Sequence, residues 1–143
     1  MIVCVALDDN NGMMFNGRRQ TKDRVLRECL LKECGSETLW MNAYSGKQFD
    51  VPLAENIVID ENFLDKALGD EYCFVEDASL KEHLHKINGI IVFRWNRVYP
   101  ADKYFDICLT DKTWSKVSVT DFQGYSHNII TKEVWKRYEK ENE

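Results

Sequence analysis

A chain of 143 residues with 44% hydrophobic and 30% charged content has the size and mixture of one globular domain with a single core. Its formal charge of -5 argues against nucleic acid as the general partner, because duplex binding relies on Lys and Arg at phosphates. With two prolines, seven glycines and no low-complexity stretch, nothing reads as a linker or a disordered arm.

The apolar run from Met1 to Leu7 lacks a positive flank and stops at Asp8-Asp9, too short for a signal peptide or a membrane span. The five cysteines, at positions 4, 29, 34, 73 and 108, show no CxxC spacing and mostly sit in apolar runs. Both features predict a cytoplasmic protein with reduced thiols and no membrane partner.

Residues 2 to 7 predict a strand covered on both faces. Asp8 to Gly17 reads as a loop, with turn signals at Asn11-Gly12 and Asn16-Gly17 and exposed Met13, Met14 and Phe15 at its tip, suited to a lid or a subunit contact. A homodimer stays open on this reading.

From Thr21 the spacing turns helical. Val25, Leu26, Cys29 and Leu30 share a face, Thr21 is placed to cap, and Gly35 to stop, which predicts a helix over 22 to 34. Short strands follow at 39 to 41, 56 to 59 and 72 to 75, with a short helix at 44 to 49 and another from Ser79 to Lys86. Gly89 to Phe93 is a second fully buried strand by composition. Residues 104 to 109 and 114 to 119 are further strand candidates, as is the region after His127. Thr131 to Tyr138 carries a cap residue and apolar positions at 134, 135 and 138, which favours a helix. Strands alternating with helices, then strands alone, predict an α/β domain with a mainly parallel mixed sheet and about four helices.

Between Arg18 and Arg27 five bases face one acid, Asp23, so one end of the molecule attracts anions. Arg18, Arg19 and Arg97 are candidates for a phosphate or carboxylate. Trp40, Trp95, Trp114 and Trp135 are aromatic at strand positions, which is ordinarily core; Trp95, flanked by Arg94 and Asn96, is the candidate to line a pocket.

Residues 6 to 13, Trp40-Met41-Asn42-Ala43-Tyr44-Ser45, the stretch Ile91 to Tyr99, and Trp114 to Phe122 with Ser126-His127 together make the chain resemble the dihydrofolate reductase family over nearly its whole length. The resemblance implies that family's fold and a cleft at the strand ends near Met41 and Phe93. It also identifies departures. The family's Met-Gly-Arg-x-Thr appears as Met41-Asn42-Ala43-Tyr44-Ser45, which loses the guanidinium and keeps a hydroxyl. The family's Gly-Gly, which lets backbone amides meet the cofactor diphosphate, falls on Arg94-Trp95, where an indole would fill the space. Arg18-Arg19-Gln20 stands where the family has Leu-Pro-Trp. Asp23 lies where the family keeps the carboxylate that assists proton delivery, although an acid in a first helical turn ordinarily serves the macrodipole.

The leading expectation is a dihydrofolate reductase-like domain without its cofactor, binding a small anionic or heterocyclic ligand or a partner through Arg18, Arg19, Met41, Tyr44, Ser45, Phe93, Arg94, Trp95 and Arg97. The alternative is an NADPH-dependent reductase of a pterin-like compound, with Asp23 catalytic. A third reading is a zinc-dependent ribonuclease of the ribonuclease Z kind, which needs a His-x-His-x-Asp-His cluster. Here His83-Leu84-His85-Lys86-Ile87-Asn88 lacks the second half, and only His127 remains, so no metal site is expected.

Overall fold

A computed structural model describes residues 1–138. The N-terminal strand β1 (Ile2–Leu7) is central because its two faces are both apolar: Val3, Val5 and Leu7 enter one core, Cys4 the other. Two parallel strands flank it, β6 (Tyr72–Phe74) and β7 (Gly89–Arg94). Beyond β6 lie β4 (Leu39–Met41) and then β5 (Ile57–Ile59), again parallel. Beyond β7 the sheet turns antiparallel with β10 (Ile130–Arg137) and β9 (Trp114–Phe122), giving the order β5, β4, β6, β1, β7, β10, β9.

All five parallel strands therefore end at one edge of the sheet. That edge is where an open α/β sheet presents its loops to a ligand.

One face is covered by α1 (Arg24–Cys34), which buries Leu26, Leu30 and Cys34 against Met41, Phe74, Ile91 and Phe93. The other face carries α3 (Phe63–Lys66), a 3₁₀ helix at Lys81–Lys86, and the segment bearing Phe105, Ile107 and Leu109. A single-turn helix, α2 (Ala43–Gly46), follows β4 directly, its start capped by the Asn42 carbonyl oxygen, which accepts from Ser45 N–H. Among the described residues, three α-helices and one 3₁₀ helix thus flank the mixed sheet, as the alternating pattern predicts.

Four expectations change. Residues 131 to 137 form a strand rather than a helix: adjacent Val134 and Trp135 serve opposite cores, which only an extended chain allows, so sheet pairing overrides the helical spacing. The stretch from Ser79 becomes the shorter 3₁₀ turn, and residues 104 to 109 keep strand geometry only at β8 (Lys103–Tyr104). Thr21 does not cap α1; Asp23 does, accepting from Val25 N–H at 2.9 Å and Leu26 N–H at 3.4 Å.

The loop after β1 is itself a strand, β2 (Gly12–Phe15), paired with β3 (Arg18–Arg19) and β8 in a second small sheet. Met13 and Met14 face the core at 5% and 4% exposure, so they are neither a lid tip nor a free surface. The predicted Asn16-Gly17 turn joins β2 to β3 with both residues at positive φ, 51° and 71°, the backbone that a two-residue hairpin requires.

Among the described residues no helix is long and apolar enough to cross a membrane. All five cysteines are free thiols.

Candidate functional site

Two buried carboxylates build the ligand edge of the sheet. Asp8, just past β1, is wholly buried and accepts four hydrogen bonds: from Asn10 N–H and Gly12 N–H on Oδ1, and from the Gln20 amide and Tyr99 N–H on Oδ2. Burial acts to raise its pKa, but these N–H donors outweigh it and hold the carboxyl below its ordinary value. Asp8 thereby fastens the start of β2, the end of β3 and Tyr99 to the tip of the central strand.

Asp23 does the same for a more distant pair of segments. Besides capping α1, its Oδ1 accepts from Tyr125 N–H at 2.9 Å, and its Oδ2 from Ser126 N–H at 2.9 Å, the Ser126 hydroxyl at 3.2 Å and His127 Nδ1 at 2.8 Å. Burial again opposes ionisation, yet the donors from Tyr125, His127, Ser126 and Leu26 win and hold the carboxyl far below the usual carboxylate range. Every lone pair of Asp23 points at a protein donor.

His127 is the consequence. Its side chain is 4% exposed, its ring lies against Trp95 with centroids 4.5 Å apart and a 31° tilt, and its Nε2 sits 3.3 Å from both Thr21 Oγ1 and Tyr99 Oη. Trp95, 4% exposed, therefore walls the histidine with most of its ring and meets a cleft only at its margin.

Arg19 crosses the neighbouring strand ends. It makes two hydrogen bonds to Glu76, 2.8 Å and 3.1 Å, places its guanidinium 4.3 Å from the Tyr44 ring centroid, and donates its backbone N–H to the Tyr44 hydroxyl at 2.9 Å. Gln48 also donates to Glu76, and Asn42 to Asp77. The strap at β3 is thus bolted over the space between β4 and β6.

Two clefts open beside these clusters. One, of about 530 Å³, is lined by Phe15, Arg18, Arg19, Gln20 and Tyr99 among others. The other, of about 420 Å³, is lined by Trp95, Asn96, Arg97, Ser126 and His127 with the two residues that follow. A third hollow of about 370 Å³ lies at the opposite edge, where β1, β6 and β7 begin, and contains none of these groups.

The sequence-predicted residues divide accordingly. Arg18 and Arg97 are exposed at the clefts, and Arg97 lies 5.8 Å over the Tyr99 ring. Arg19 and Tyr44 belong to the strap. Arg94 bonds Asn11 and Glu133, between the small sheet and β10.

Met41, Phe93 and Ser45 are wholly buried, the first two beneath α1, so they line no cleft. Ser45 Oγ has no hydrogen-bond partner among the described residues. The face of α1 that meets the sheet is Leu26, Leu30 and Cys34, and Asp23 points instead to the β9–β10 connection.

The placement of the family's Gly-Gly also shifts. The resemblance puts that pair at the end of a strand that runs into a short helix, and β7 runs into no helix. Of the two strands that flank β1, the one that does is β6, which reaches the 3₁₀ helix through Val75-Glu76-Asp77. Two carboxylates, not Arg94 and Trp95, occupy that corner.

Sequence reasoning did not single out Glu76, Asp77, Asp8 or Tyr99 as site residues, and it met His127 only within the resemblance and as a leftover metal ligand. The one local signal was an acid pair immediately after an apolar run and before a helical segment.

No family model and no curated protein matches this chain. Among solved structures, dihydrofolate reductase from Enterococcus faecalis complexed with NADP(H) and RAB-propyl is similar to it, with a TM-score of 0.68 at 15% identity over 96% of each chain. The fold is dihydrofolate reductase-like.

Proposed function

We propose that this dihydrofolate reductase-like domain has given up nicotinamide-cofactor binding and serves as a binding protein for a small anionic or heterocyclic ligand. The observation that carries the reading is the Arg19 to Glu76 bridge, with Asp77 beside it, at the end of β6. A diphosphate brought to that corner would face two carboxylates and would have to displace a paired guanidinium, so NADPH does not fit these residues.

Two further features support it. Ala43 offers no guanidinium at the start of α2, so the phosphate fork is lost there as well. Two exposed cations stand at clefts, Arg18 in the one that Tyr99 lines and Arg97 in the one beside His127. Those clefts are the proposed ligand site.

Isothermal titration with NADPH is expected to give no binding heat, and micromolar affinity would overturn the reading.

The rival is an NADPH-dependent reductase of a pterin-like compound, favoured by the similarity to a reductase solved with NADP(H). It lacks a proton donor in the right place, because Asp23 has no lone pair left and the sheet-facing side of α1 is apolar. NADPH oxidation with dihydrofolate, compared between the intact protein and Asp23→Asn, decides it: equal and negligible rates remove the reductase.

The ribonuclease reading would need the Asp-His half of its cluster, which His83-Leu84-His85-Lys86-Ile87-Asn88 does not supply.

A further inference from the structure

Two hydroxyls converge on one lone pair. An ionised carboxylate only accepts, so the 2.8 Å contact to Asp23 puts the proton of a neutral His127 on Nδ1 and leaves Nε2 as an acceptor. Thr21 Oγ1 and Tyr99 Oη each stand 3.3 Å from that nitrogen, longer than an ideal bond, as apo catalytic contacts often are. One of the two must go without.

Tyrosine is the better proton source. A phenol has a reference pKa of about 10 against about 6.5 for imidazole, a gap far smaller than that of an aliphatic alcohol. Tyr99 also lines the cleft holding Arg18, and the Arg97 guanidinium lies 5.8 Å from the centroid of its ring. Its position is fixed from behind by Asp8 through the Tyr99 N–H, and the imidazole is held by the Trp95 ring. A base, an orienting carboxylate and the hydroxyl of a cleft-lining residue are thus set in line.

We propose that Asp23, His127 and Tyr99 form a proton relay that makes the Tyr99 phenol the proton-exchanging group of this cleft, acting on a small anion drawn in by Arg18. Tyr99 is the residue that touches the ligand, and Asp23 positions the histidine. The ligand class rests on the binding reading above, whereas the relay rests on geometry alone.

The probe is 4-(fluorosulfonyl)benzoate, which joins a carboxylate to an electrophilic sulfur. Tyr99 Oη forms a bond to sulfur, the S–F bond breaks with fluoride leaving, and the phenolic proton passes to His127 Nε2 and on to water. Peptide mapping by mass spectrometry reads the label. Tyr99 is expected to react about tenfold faster than exposed Tyr104 and Tyr125, a modest share of what a positioned base supplies.

His127→Gln should abolish the preference. Thr21→Val, which frees the lone pair without touching the dyad, should raise Tyr99 labelling about twofold. Equal labelling of Tyr99, Tyr104 and Tyr125, or loss of labelling in Thr21→Val, would overturn the relay. Excess benzoate is expected to protect Tyr99. Selective labelling without protection would overturn the anionic-ligand reading and leave the relay standing.

Discussion

Asp23 Oδ2 accepts from His127 Nδ1 at 2.8 Å across 104 residues of sequence, with both side chains almost sealed from solvent. The same carboxylate starts α1 and closes the β9–β10 connection, so removing its charge unfastens both ends of the contact. Asp23→Asn is expected to cost about 3 kcal/mol at about pH 7, in the range for breaking a buried pair. Urea unfolding of the two proteins measures the difference.

The pH dependence follows from the direction of the shift. Against burial, the donors from Tyr125, His127, Ser126 and Leu26 depress the folded-state pKa of Asp23 below its unfolded value of about 3.9. Its stabilisation is complete above that value and is lost as pH falls toward the folded pKa. Intact protein should lose stability steeply below about pH 4, with a flatter profile for Asp23→Asn, and parallel urea midpoints for the two would contradict this.

Gly124 carries no side chain for a steric reason. A Cβ there would stand 2.7 Å from Asp23 Oδ2 and 2.9 Å from both the His127 carbonyl oxygen and Ile130 Cδ1. Gly124→Ala should destabilise the fold by about 1–3 kcal/mol, as overpacking does, and disturb the Asp23 to His127 contact. Thermal unfolding reads the first effect. A changed chemical shift of the His127 imidazole reads the second.

Arg19 and Glu76 offer a double-mutant cycle. Both are largely buried, at 19% and 9% side-chain exposure, and each is the other's charge partner. Arg19→Met, Glu76→Gln and the double variant should return a coupling of about 1–3 kcal/mol. Hydrogen exchange should quicken over residues 12 to 19 when Arg19 is lost, since the strap is then held at the strand ends by less.

Local chemistry made part of this legible beforehand. The helix from Arg24, the buried strands at Ile2 and Gly89, and the turn at Asn16-Gly17 depend on spacing or on a backbone preference written in two adjacent residues. β10 was not readable in that way, because a strand covered on both faces places apolar Val134 and Trp135 side by side and loses the alternation of a half-exposed one. Met13 and Met14 look like a greasy loop until β3 and β8 pair on either side of β2 and turn them inward.

The site was harder still. Asp23 is conspicuous as the lone acid of a basic stretch, but its partners lie beyond residue 120 and carry no motif. Glu76 and Asp77 stand out only as an acid pair after an apolar run. Their meaning comes from β6 lying between β4 and β1, a neighbourhood no local pattern encodes.

The bonds to Asp23 also impose an order on biosynthesis. While the ribosome is still making the middle of the chain, α1 has only its own first-turn amides on that carboxylate, and β7 lacks the neighbour that will separate it from β9. The nascent domain stays ajar until residues 125 to 137 have cleared the exit tunnel. A truncation that stops short of them would leave an apolar flank of β7 for chaperones to hold.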